Sequence, residues 1–157
     1  RFKEVDETVS AVMRFKDERL ATFTCSFGAA DRRVYTITGT KGSITVDPAY
    51  EYAEGLSYEL KVGDKKRTKK FAKSDQFAPE LLYFSQCILN NREPEPSGAE
   101  GLIDVRIVEA MQRSIRTGKW VNLKTQQRKR RPTMRQDIRR SAVPREPKLV
   151  QAEAASR

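Results

Sequence analysis

Apolar and polar positions alternate through the first part of the chain. Val9, Ala11, Met13 and Phe15 fall on one side of a strand, with Thr8, Ser10, Val12 and Arg14 on the other. Lys16-Asp17-Glu18-Arg19 is a polar turn, after which Ala21, Phe23, Cys25 and Phe27 alternate with Thr22, Thr24 and Ser26. This predicts an antiparallel hairpin with one apolar face and one Thr/Ser-rich face. A loop over 28–32 leads to further β-rich runs at 33–38, 43–46, 57–62 and 66–71. Gly39 and Gly42 bracket a turn, Asp47-Pro48 ends a strand, and residues 50–55 carry no clear period. The lysines and arginine of 65–70 read as a solvated edge strand, where charge discourages further pairing.

The period changes near Asp75. Phe77, Leu81, Phe84 and Ile88 recur at helical spacing and predict one apolar stripe. Asn90, Asn91 and the run Arg92-Glu93-Pro94-Glu95-Pro96 stop that helix. Ser97 and Glu100 have capping-box spacing for a second helix, whose stripe is Ile103, Ile107, Met111 and Ile115. Gly118 is placed to end it in a left-handed conformation. A short strand is expected over Trp120–Leu123, with Trp120 a packing or interface residue.

Strands followed by helices predict an α+β fold. The expected architecture is one open-faced, mainly antiparallel sheet of about six strands, with the helix pair covering one face. The expected domains are 1–123, the α+β body, and 124–157, a basic tail that is disordered or extended. Such a tail adds little to the stability of the body, although Leu149 and Val150 offer it an apolar anchor.

Charge sharpens this division. Residues 1–123 carry 20 Lys/Arg against 18 Asp/Glu, whereas 124–157 carry 11 against 3, so most of the net charge of +10 belongs to the tail. The tail's basic run has no aromatic residue to stack on bases, so nucleic acid is an unlikely partner. Cys25 and Cys87 lack metal-ligand spacing and the chain has no histidine, so both are expected as buried free thiols and no metal site is expected. No apolar run is long enough to span a membrane. No signal peptide is visible, and a start at Arg rather than Met predicts a trimmed chain.

No nucleophile–base pair or phosphate loop is evident, and the glycines do not form a dinucleotide fingerprint. Asp104 falls in the apolar arc of the second helix, where a paired structural carboxylate is favoured over a site acid. Asp31, Arg32 and Arg33 sit on the loop between two central-looking strands, where ligand contacts concentrate. The Thr/Ser face, with Ser10, Val12, Thr22, Thr24 and Ser26, is too polar for a core and too neutral for an ordinary wet surface. It is the expected contact of a homo-oligomer.

The segments VYTITGTKGSITVD, DQFAPELLYFSQCILNN and EPSGAEGLIDVRIVEAMQRSIRTGKWVNL together resemble the C-terminal domain of the glucose–fructose oxidoreductase/inositol dehydrogenase/MocA family. Within it, the resemblance is strongest to glucose–fructose oxidoreductase and covers roughly residues 5–123. It implies a parent enzyme with an N-terminal Rossmann domain, NAD or NADP as cofactor, and a sugar or cyclitol substrate. It implies hydride transfer between the nicotinamide and a hydroxyl-bearing carbon. The family's cofactor fingerprint and catalytic residues precede the matched segment, so no catalytic or cofactor-binding residue carries over and this chain alone is expected to be inactive. The resemblance brings residues 28–33 near the substrate, which adds weight to Asp31 and Arg32. The turn at Lys16–Arg19 departs from the family's usual glycine.

These observations predict the substrate-side and oligomerisation domain of an NAD(P)-dependent sugar oxidoreductase. A cytoplasmic location is expected, and an exported parent is compatible with the sequence. The rival readings are a non-enzymatic interaction module and nucleic-acid binding through the tail.

Overall fold

The computed structural model describes residues 4–124 and 132–141. The other basic-tail residues, including Leu149 and Val150, lie outside the described set. Six strands and two helices confirm the α+β class. The chain divides into two compact units: residues 1–32 with 96–131, and residues 33–95 with 132–157.

The first unit contains strands β1 (Thr8–Arg14) and β2 (Leu20–Ser26), paired antiparallel with Ser10 opposite Thr24 and Val12 opposite Thr22. The alternation sets this register, because a slip of one residue would exchange the two faces. The connecting turn, Lys16–Glu18, holds Asp17 and Glu18 at φ 59° and 56°, in the left-handed region that glycine occupies without strain. Helix α2 (Gly98–Thr117) begins on the expected capping box, with the Ser97 N–H donating to Glu100 Oε2 at 3.4 Å. It ends at Gly118, φ 63°, whose N–H donates to Ser114 O at 2.8 Å. Ile103, Ile107 and Met111 are half-buried as expected, whereas Ile115 and Asp104 are exposed. Asp104 is therefore not a buried acid. Residues 120–123 form no strand.

The second unit contains β3 (Tyr35–Gly39), β4 (Gly42–Val46), β5 (Leu56–Val62) and β6 (Lys65–Phe71), an antiparallel sheet in chain order. The six expected strands thus form two sheets, of two and four strands, rather than one. Residues 27–34, which join β2 to β3, carry no strand and no alternation that would extend either ladder. Gly42 is dictated by packing, since a Cβ there would collide with the Lys61 carbonyl on β5.

Helix α1 (Phe77–Leu89) is capped by Asp75, whose Oδ1 accepts the N–H groups of Phe77 and Ala78 at 2.9 and 3.0 Å. Its facing differs from expectation. Phe77, Leu81, Phe84 and Ile88 are exposed, while Pro79, Tyr83 and Cys87 turn inward. Those three residues are spaced four apart, and this adjoining row is the one the unit buries. Cys87 is a buried free thiol, but Cys25 is exposed, its Sγ 3.9 Å from the Val9 carbonyl.

Residues 132–141 return to the second unit. Gln136, on the short turn Met134–Gln136, donates from Nε2 to the Tyr83 hydroxyl at 2.9 Å and to the Glu95 carbonyl at 3.2 Å. Tyr83 also accepts the Glu95 N–H at 3.1 Å. Farther along, Asp75 N donates to Arg140 O at 3.3 Å and Ser141 bridges Ser74. This part of the tail thus bonds to the middle of α1 at Tyr83, to Glu95 beyond its C-terminal end and to Asp75 at its N-terminal cap.

Candidate functional site

The candidate loop residues separate at the unit boundary. Asp31 and Arg32 belong to the first unit, both exposed, and Arg33 to the second. Arg33 forms an ion pair with Glu51, whose side chain is only 6% exposed. The Arg33 carbonyl also accepts the Ala49 N–H at 2.6 Å. Glu51 is the buried charged residue among those described, a part that the sequence pattern assigns to Asp104.

Glu51 organises the loop between β4 and β5. Its Oε1 accepts the N–H groups of Tyr52 and Ala53 at 2.8 and 2.5 Å, and its carbonyl accepts Gln76 Nε2 at 2.9 Å. A buried carboxylate with a cationic partner and two backbone donors is fully engaged, which is the condition for burying charge at all. Tyr50 beside it has φ 56°, a backbone state that costs an L-residue about 1–2 kcal/mol. The Glu51 contacts supply the fixed surroundings that such strain requires.

The anchored loop projects aromatic rings outward. Tyr50 is 77% exposed and Tyr52 63%. Tyr50 faces Tyr35 of β3 with ring centroids 5.6 Å apart, and Tyr52 meets Phe77 of α1 edge-on at 5.8 Å. The four rings line an open cleft of about 440 Å³, together with Val46, Ala49, Leu56 and Gln76. No sequence period marks this cleft. The signal that was available is the density of tyrosines in residues 50–58.

The Thr/Ser face has its expected composition. Thr8 Oγ1 lies 2.7 Å from Ser26 Oγ, and Ser10 Oγ lies 2.5 Å from Thr24 Oγ1. Ser10, Val12, Thr22 and Thr24 are exposed, and Ser26 is half-buried. Cross-strand hydroxyl pairs leave a flat surface without charge at these positions. Among the described residues no cluster of His, Cys, Asp and Glu suits a metal ion. No described helix is long and apolar enough to cross a membrane.

The chain matches the oxidoreductase family's C-terminal alpha/beta domain over residues 1–123. It is 26% identical over 118 residues to the D-xylose 1-dehydrogenase [NADP(+)] of Haloarcula marismortui, which covers 75% of this chain and 33% of that protein. It is 24% identical over 121 residues to D-xylose 1-dehydrogenase (NADP(+)) 2 of Haloferax volcanii, covering 76% of this chain and 37% of that protein. The chain therefore spans about a third of the length of these curated relatives. No solved structure matches it. The match over residues 1–123, on an α+β fold with antiparallel sheets, makes this chain a member of the glucose–fructose oxidoreductase/inositol dehydrogenase/MocA family, of which it is the C-terminal domain.

Proposed function

We propose that this chain is the substrate-side and oligomerisation part of an NADP-dependent sugar dehydrogenase. The observation that carries the reading is the family match over residues 1–123 together with relatives named as NADP-linked D-xylose dehydrogenases. The chemistry is hydride transfer from a sugar hydroxyl carbon to the nicotinamide. The cofactor-binding domain and the catalytic acid/base belong to the part of the enzyme that precedes this chain. Arg32, exposed on its loop, supplies guanidinium donors to sugar hydroxyls, and Asp31 an acceptor. The hydroxyl face of the β1–β2 hairpin meets a second copy. The proposed compartment is the cytoplasm.

The test is to express the chain joined to the sequence encoded upstream of residue 1 and follow NADPH formation with D-xylose, D-glucose and myo-inositol. Turnover of at least one sugar is expected. Arg32→Ala should raise KM for that sugar about tenfold, worth about 1.4 kcal/mol, without changing KM for NADP. A joined protein that turns over none of the three overturns the reading. The present chain by itself should show no saturable binding of NADPH, and micromolar binding would relocate the cofactor site.

A further inference from the structure

We infer that the aromatic cleft of the second unit is a docking groove for a proline-bearing extended segment, and that its occupant is the Pro144-Arg145-Glu146-Pro147 run of the same chain. The cleft offers a guest ring faces rather than charge. Its carboxylate is engaged by Arg33 and by the N–H groups of Tyr52 and Ala53, and the Gln76 amide donates to the Glu51 carbonyl. Exposed tyrosine and phenylalanine rings remain, in two pairs that line the open cleft. Proline rings with two residues between them are the guests that aromatic-lined grooves take, at low entropic cost because proline fixes φ in advance.

The described chain ends against Ser74, close in sequence to residues that line the cleft. Ser141 bridges Ser74, two residues before Gln76 and three before Phe77, both of which line the cleft. Pro144 comes three residues later, a reach of on the order of 10 Å. The competing course is strand addition along β6, because the Ser74–Ser141 bridge is antiparallel. Two features disfavour it. Prolines three apart have opposite parity on a strand, so one of them would face the ladder without an N–H to give. The β6 edge also presents Lys65, Lys66, Arg67, Lys69 and Lys70 to a segment bearing Arg145 and Lys148.

Disulfide trapping in the full chain distinguishes the courses, since closure demands Cα atoms within about 7 Å. In a Cys25→Ser background, Arg145→Cys is paired with Asp47→Cys or Glu54→Cys on the cleft loop. A separate variant pairs Lys148→Cys with Arg67→Cys on β6. At least one loop pair should close within a single chain, and Pro144→Ala with Pro147→Ala should slow that closure at least tenfold. The β6 pair should stay open. Closure of the β6 pair alone, closure only between molecules, no closure of either loop pair, or closure indifferent to the prolines would each overturn the proposal.

Discussion

Two adjacent arginines that look alike in sequence have different neighbours. Arg32 is exposed, whereas Arg33 neutralises the buried Glu51 carboxylate. Arg33→Ala strands that carboxylate among its remaining backbone donors. Breaking a buried pair costs about 3–5 kcal/mol, and the Arg33 side chain is about a third exposed, so a loss of about 2 kcal/mol is expected. Urea unfolding of the variant should show a lower midpoint and an unchanged slope, with part of the loss recovered in Arg33→Lys. An unchanged midpoint would show that Glu51 is held by its backbone contacts alone. Glu51 was not legible in the sequence for a simple reason. Its burial is created by a partner 18 positions earlier and by Gln76 25 positions later, in a loop with no period. Asp104 resembles a buried acid because helical spacing places it beside isoleucines, but spacing does not say which part of an arc meets protein.

Elements bounded by local chemistry were the legible ones. The Ser97–Glu100 box and Gly118 delimit α2 within the reach of neighbouring residues, and strict alternation gives the hairpin register. The facing of α1 was not legible, because apolar residues occupy two adjoining rows and periodicity cannot rank them. The wider row, Phe77, Leu81, Phe84 and Ile88, is the exposed one. The division into two sheets was also hidden, since each strand pattern fits either arrangement. At this scale the segment 132–141 acts as a strap across α1, bonded to Tyr83 at its middle, Glu95 beyond its end and Asp75 at its cap. That geometry argues against a tail without influence on stability. Gln136→Ala removes two hydrogen bonds at half-buried partners, and a loss of about 1–2 kcal/mol is expected in thermal or urea unfolding. Stability equal to wild type would show that the strap rests on α1 without supporting it.

At the scale of the molecule, the described residues hold little core: Ala49 and Cys87 are their buried hydrophobic residues. Many large apolar side chains, among them Phe77, Leu81, Ile88 and Trp120, remain exposed. Such surface is characteristic of protein meant to be covered by other protein. The proposed oligomerisation concerns a different surface, the hydroxyl face of the β1–β2 hairpin, and Thr22→Lys with Thr24→Lys tests it. Four like charges would meet across a two-fold axis, so sedimentation should shift from dimer or larger to monomer while circular dichroism stays unchanged. A wild-type chain that is monomeric at high micromolar concentration would end this proposal. The first unit takes residues 1–32 and 96–131, and the second takes residues 33–95 and 132–157, so neither is a continuous stretch of translation. At roughly 5–20 residues per second, the β1–β2 hairpin waits several seconds for the segment that completes its unit, its apolar face open to chaperones and to other nascent chains meanwhile. Synonymous codons that slow or hasten the ribosome between residues 33 and 95 should therefore change the yield of folded protein without altering a single side chain.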